Sequence, residues 1–428
     1  MDRLVALFEK HPDICTDTRQ IRPGCLFFAL KGEHFDGNMF ASQALENGAA
    51  YAVVDQYHGT DPRCILVPDV LQALQQLAAV HRSRFAGPVL ALTGSNGKTT
   101  TKELIHAVLS VRYNVTATQG NLNNHIGVPL SLLKMGPATE AGLFEMGASH
   151  PGEIAFLTDM VKPNAGLITN ISGAHLEGFG NLDGVKQCKG ALYDYLHAHE
   201  GTIFHNADDP ELTEMLEQRT IRDHLIPYGI SKQPVQTSLE DGVLVITVSG
   251  YPQIRTHLAG LYNTPNVLAA LAVARYYGIE NTKAAEAVAG YIPSNNRSQW
   301  INTGRNALIA DAYNANPVSM SLALKNLDSI REGKKCAILA DMLELGAYAH
   351  QFHLGIVKQV EQMGLEQVFW VGPLFSKAVQ ELGAAGMCFS KVEDLILHLA
   401  TRPLEGATVL VKGSNGMGLS KFIASGVC

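Results

Sequence analysis

The sequence predicts an α/β protein of three domains: a small first domain, a central domain built on a parallel sheet, and a C-terminal Rossmann-like domain with an open sheet. Three observations predict it. Short apolar runs alternate with longer stretches of helical periodicity, the pattern of strands joined by crossover helices. The chain's 428 residues are about three times a common domain length. Hydrophobic residues make up 46% and charged residues 17%, enough apolar material for several cores.

Each block follows in order. In residues 1–85, the runs Cys25–Leu30, Ala50–Val54 and Cys64–Val67 predict strands, and Val70–Arg84 predicts an amphipathic helix. In residues 86–292, Val89–Leu92 predicts a buried strand, followed by a glycine turn and a helix from Lys98. Further buried strands are expected at Gly142–Met146, Gly166–Ile171 and Thr202–His205. A more β-rich stretch, Val243–Val248 and Ile254–Leu258, leads to a helix over Pro265–Tyr277. In residues 293–428, strands are expected at Ala307–Ala310, Cys336–Leu339, Gln367–Val371 and Thr408–Val411, with helices at Val318–Leu327 and His350–Met363. That alternation predicts a doubly wound sheet.

The net charge of -7 excludes the concentrated basic face of a nucleic-acid binder, so anionic substrates must be met by local sites. No run approaches the ~20 apolar residues of a membrane helix. Residues 1–19 carry early charges and no long apolar run, unlike a signal peptide. Cysteines 15, 25, 64, 188, 336, 388 and 428 are scattered and never form a C-x-x-C pair, which fits reduced thiols rather than a disulfide framework or zinc site. A cytoplasmic enzyme is expected.

The sharpest motif is Thr93-Gly-Ser-Asn-Gly-Lys-Thr-Thr100, between a strand and a helix. Glycines let backbone N–H groups approach phosphates, the helix N-terminus adds positive partial charge, Lys98 reaches the outer phosphates, and Thr99 offers a hydroxyl to Mg²⁺. Leu92 stands where the general phosphate-loop pattern has glycine, so the match is to the variant T-G-x-N-G-K-T-T. Gly94, Asn96, Gly97, Lys98, Thr99 and Thr100 are the expected contacts to a nucleoside triphosphate. Kinases, ATPases and ligases share such a loop, so it does not choose the reaction.

The loop is accompanied by Gly120-Asn-Leu-Asn-Asn-His-Ile-Gly-Val-Pro129, Glu145-Met-Gly147, Asn170-Ile-Ser-Gly-Ala-His-Leu-Glu-Gly-Phe-Gly180, Lys189-Gly190, Asp311-Ala-Tyr-Asn-Ala-Asn-Pro317, Asp341-Met-Leu-Glu-Leu-Gly346 and Lys412-Gly-Ser414. In this order, and over nearly the whole chain, the set resembles the Mur ligase family. The first block adds Asp17-Thr-Arg19, Phe27–Gly32 and Phe35-Asp-Gly37, similar to that family's UDP-sugar-binding domain. The resemblance implies ATP-dependent amide formation: a substrate carboxylate is phosphorylated, and an amine then attacks the acyl phosphate. His-Leu-Glu-Gly-Phe-Gly, Tyr-Asn-Ala-Asn-Pro and Asp-Met-Leu-Glu-Leu-Gly resemble the member whose substrates are UDP-N-acetylmuramoyl-tripeptide and D-alanyl-D-alanine.

The resemblance also implies roles. Lys98, His175 and Lys189 are catalytic; Thr99 and Glu145 hold one Mg²⁺, and His175 a second, with Lys189 as a carbamate ligand. Lys186 competes with Lys189 in Val-Lys-Gln-Cys-Lys-Gly, and Gly190 favours Lys189. Asn263 contacts the adenine, Arg297 the phosphates and Asp311 the ribose; Asn266 shares the adenine or sits in the first turn after Pro265. Thr18, Arg19, Asp36, Asn121, Asn123, Asn124, Asn314 and Asn316 are the expected substrate contacts. Tyr262, His125 and Ala191 depart from the family's usual residues. Gly413–Gly418 repeats Gly-Ser-Asn-Gly but has Met417 in place of lysine, so it is expected near the acceptor dipeptide, not at a second nucleotide. A monomer is expected.

Overall fold

A computed structural model describes residues 1–173, 176–330 and 333–428. The first domain holds four parallel strands in the order Ile14–Cys15, Leu26–Phe28, Tyr51–Val54, Cys64–Leu66. Because strand side chains alternate, Leu26 and Phe28 face one core while Phe27 faces another with Cys25 and Ala44. The amphipathic helix forms as Val70–Ser83, capped by Asp69, which accepts the Gln72 N–H at 2.7 Å. Its Leu74 and Leu77 share a core with Val128 and Leu132 of the central domain, which fixes the two domains together.

The central sheet is wholly parallel, ordered Leu225–Tyr228, Thr202–Asn206, Ala165–Ile168, Val89–Thr93, Ala141–Glu145, Val115–Ala117. Val89–Thr93 is buried throughout, as its unbroken apolar run requires of a strand covered on both faces. Its neighbours are reached by connections that diverge to either side, which opens a crevice at the strands' carboxyl ends. Register brings Glu145 beside Leu92, and Ile168 beside Thr93. The phosphate loop, Glu145 and the Thr169–Ser172 segment therefore leave the sheet at one edge.

The third sheet is open and doubly wound in its parallel part, which antiparallel strands extend into a mixed sheet. Ala307–Asp311, Ala407–Lys412, Lys334–Ala340, Gln367–Val371 and Met387–Phe389 are parallel. Helices cover both faces, with Leu324 and Phe375 on one side and Leu395 and Phe422 on the other. Four antiparallel strands extend it: Gln299–Asn302, Ile254–Ala259, Val243–Val248 and Val235–Glu240. The sheet thus crosses residue 292. The Leu258–Gln299 pairing joins the two parts, while Leu244, Ile246 and Leu258 pack on Val267 and Leu271 of the central domain. This hairpin ties the second domain to the third.

Candidate active site

A cavity of about 400 Å³ lies where the central and third domains meet. The phosphate loop forms its floor. Gly94, at φ 145°, passes so close to Thr169 that a Cβ would stand 1.9 Å from its hydroxyl oxygen. Gly97, at φ 76°, caps the helix Lys98–Leu109 and leaves its first N–H groups directed outward, as phosphate binding needs. Asn170 braces the turn: its side chain accepts the Asn96 N–H at 3.0 Å and donates to the Asn96 carbonyl at 2.9 Å. Ser95 and Ser172 add two hydrogen bonds.

Lys98 reaches back to the Gly94 carbonyl at 2.8 Å and makes no ion pair among the described residues. Burial pushes its ammonium below the usual lysine range, with Glu145 opposing and Arg297 adding to the shift. Glu145 is almost fully buried; one carboxylate oxygen accepts from Asn123 at 2.8 Å, and the other has no partner among the described residues. The Thr99 hydroxyl is likewise buried without a partner. An unpaired buried carboxylate oxygen is costly by itself and suits a hard cation. No cluster of three or more His, Cys, Asp or Glu exists among the described residues. A cation such as Mg²⁺, which keeps phosphate and water oxygens, needs no such cluster.

Lys186 and Lys189 part company. Lys186 faces Glu211 and Glu214, 2.6 Å from the latter, and is held above the usual lysine range by both. Lys189 is 1% exposed and has no ion pair among the described residues; its amine lies 5.8 Å from the centre of the Phe179 ring. Burial, then repulsion from Lys98, pushes it down to about 7. His175 lies outside the described residues.

The opposite wall comes from the third domain and the segment before it. Asn263 donates to the Ala259 carbonyl at 2.8 Å and accepts from Asn266, whose oxygen also receives the Thr101 hydroxyl. Both asparagines line the cavity while bracing the phosphate-loop helix. Arg297 stacks 3.6 Å from the Tyr313 ring centre, and its buried Nε has no partner. Asp311 accepts from the Ser298 N–H at 3.1 Å and from Lys412 at 2.6 Å. Asn316 caps the helix Pro317–Ser329 and donates to Asn96 at 2.6 Å, bridging the domains.

Residues 13–82, 92–274 and 296–415 match, in that order, the Mur ligase family catalytic domain, the Mur ligase middle domain and the Mur ligase glutamate ligase domain. The chain belongs to the Mur ligase family. It is 34% identical over 421 residues to the UDP-N-acetylmuramoyl-tripeptide–D-alanyl-D-alanine ligase of Bacillus subtilis, covering 96% of this chain and 92% of that one. Identity to the Synechocystis enzyme of the same name is 36%, covering 96% and 91%. A MurF crystal structure from Acinetobacter baumannii superposes with a TM-score of 0.86 at 29% identity, covering 97% of this chain and 93% of that one. MurF ligase from Thermotoga maritima, in complex with ADP, gives 0.83 at 25% identity and covers 97% of each chain.

In this Mur ligase several expected substrate residues stand elsewhere. Thr18, Arg19 and Asp36 do not line the cavity: Arg19 pairs with Asp17, and Asp36 accepts from Asn38. Asn121 is exposed and outside the lining. Asn124 borders the cavity while its oxygen accepts the Ile126 and Gly127 N–H groups, an ordinary asparagine turn. Asn314 borders it, and its backbone carbonyl accepts from Lys412 at 3.2 Å. Lys412 is buried and clamps Asp311 from 101 positions away, a pairing no local motif announces.

Proposed function

We infer that this chain is an ATP-dependent ligase joining D-alanyl-D-alanine to UDP-N-acetylmuramoyl-tripeptide, an amide-forming step of peptidoglycan precursor synthesis. The observation that carries the inference is the cavity itself: a phosphate loop, an unpaired buried carboxylate and a braced second wall, in a chain that aligns end to end with relatives named for this reaction. A carboxylate is a poor acyl donor, and transfer of the γ-phosphoryl group supplies the leaving group that the dipeptide's amine then displaces.

The residues divide the work. Loop N–H groups and Lys98 hold the phosphates and neutralise charge on the transferring group; Arg297 reaches the phosphates from the other domain. Asp311, fixed by Lys412 and the Ser298 N–H, receives ribose hydroxyls, and Asn263 with Asn266 borders the adenine. Thr99 and Glu145 would hold Mg²⁺, which offsets phosphate charge when bound. His175 and Lys189 would hold a second Mg²⁺. An amine buried beside Lys98 is readily neutral, the form that adds CO₂, so Lys189 would serve as a carbamate. Asn123, held on Glu145, faces the sugar-peptide together with the first domain's Thr18, Arg19 and Asp36.

Residues 1–85 are assigned to the UDP-sugar-peptide, 86–292 to the nucleotide and 293–428 to the acceptor, in a monomer working in the cytoplasm. No helix of the described residues is long and apolar enough to cross a membrane. The test is a coupled assay of ADP release with Mg-ATP and UDP-N-acetylmuramoyl-tripeptide. Turnover is expected with D-alanyl-D-alanine and negligible with free lysine, diaminopimelate or D-glutamate. Ligation of a single amino acid to a muramoyl dipeptide, with none of the dipeptide to the tripeptide, would refute the assignment.

A further inference from the structure

We propose that Leu322 and Leu343 form the apolar wall that receives the methyl groups of the acceptor dipeptide and sets acceptor specificity; this rests on the dipeptide-ligase function inferred above. The rest of the cavity's lining is mainly polar side chains and small residues, with Tyr262 and Tyr313. Its large aliphatic lining residues, among those described, are Leu322, Leu343 and Leu345. Leu345 is core, at 2% exposure, whereas Leu322 and Leu343 are 38% and 40% exposed. Two half-exposed leucines facing a nucleotide-scale cavity contribute little to the fold and meet nothing in a polyphosphate.

Their position narrows the occupant. Leu322 lies on the helix whose cap, Asn316, bonds Asn96 of the phosphate loop. Leu343 is held by its backbone, whose N–H donates to the Ser414 hydroxyl at 2.9 Å. The glycine loop lies beneath it: a Cβ at Gly416 would stand 3.0 Å from a Leu343 methyl, so a side chain there would displace the leucine. Gly346, three residues on, abuts Glu177 of the helix Leu176–Phe179, and Phe179 covers Lys189. The two leucines therefore border the cavity from the third domain, Leu322 on the helix tied to Asn96 and Leu343 over the glycine loop.

The acceptor must bring its amine to the acyl phosphate formed over the phosphate loop, which borders the same cavity as the two leucines. D-Alanyl-D-alanine presents two methyl groups and no other side-chain surface, and an apolar wall is the complement to that chemistry. A wall of this kind discriminates by fit, with one misplaced or missing methylene changing selectivity about 10–200-fold.

Steady-state kinetics of Leu322→Ala and Leu343→Ala test this. The KM for D-alanyl-D-alanine should rise about 10-fold, while the KM values for ATP and the sugar-peptide and the saturating kcat stay near wild type. Leu343→Ala should also accept D-alanyl-D-valine better than wild type does, since the removed isobutyl group makes room. The volume-conserving Leu343→Met, which keeps the wall apolar, should raise the dipeptide KM less than Leu343→Ala does, and unchanged circular dichroism of each variant controls for folding. An unchanged dipeptide KM, or a rise confined to ATP or to the sugar-peptide, would overturn the proposal. A wild-type enzyme that ligates no D-alanyl-D-alanine would instead refute the underlying function.

Discussion

Lys186 and Lys189 sit three residues apart on one helix, and the sequence alone leaves both open for the same role. The following glycine favours Lys189, and so does the packing: one lysine faces two glutamates, the other a phenylalanine ring and a neighbouring cation. Lys189→Ala should lose most activity, and formate or acetate should restore part of it by occupying the vacated anionic position. Lys186→Ala, which removes only a partly exposed ion pair, should remain close to wild type and gain nothing from either anion. The reverse pattern would exchange the two lysines. Lys98→Ala should reduce turnover on the order of 10²–10³-fold with unchanged circular dichroism, because a charge clamp at the phosphates acts mainly in the transition state. A folded Lys98→Ala enzyme with near-wild-type turnover would remove the loop from the mechanism. Lys98, Thr99 and Glu145 were legible because local motif and strand position suffice. The clamp of Lys412 on Asp311 was not, because it depends on two parallel strands meeting in register.

At the scale of elements, burial decides what sequence patterns reveal. Val89–Thr93 is buried at every position, and its Val89–Leu92 stretch reads as an unbroken apolar run. Gln299–Asn302 and Val235–Glu240 have no fully buried residue, so they lack the apolar pattern that marks a strand and went unseen. These strands make the third sheet mixed. Caps are less legible: Asn316, expected to touch substrate, borders the cavity, and its oxygen also accepts the Ser319 N–H at 2.9 Å as part of a capping box. Asn316→Ala should therefore destabilise the third domain by about 1 kcal/mol, a loss of a few degrees in Tm. Asn316→Asp keeps the accepting oxygen and should melt near wild type, since a carboxylate at a helix N-terminus is also favoured by the dipole. Equal losses for the two variants in differential scanning calorimetry would mean that the cap is not what Asn316 contributes.

Across the whole molecule, the proposed nucleotide site is divided between the central and third domains, which one sheet also joins. Lys98 and Asn263 precede residue 292, whereas Arg297 and Asp311 follow it, and all four border one cavity. A ligand that touches both walls binds the approached arrangement more tightly than a separated one, and so shifts the population toward it. One link across the cavity is the hydrogen bond from Asn316 to Asn96, placed on the phosphate loop itself. Small-angle scattering should show a smaller radius of gyration when a non-hydrolysable ATP analogue and UDP-N-acetylmuramoyl-tripeptide are added together. Asn316→Asp isolates the link, because the exchange removes the amide donor to Asn96 while retaining the cap. That variant should compact less at the same ligand concentrations and show a raised KM for ATP. If wild type does not contract, ligand-driven closure is wrong. If both proteins contract equally, closure occurs but does not run through Asn316, and the cation–π-stacked Arg297 becomes the group that couples the nucleotide to the third domain.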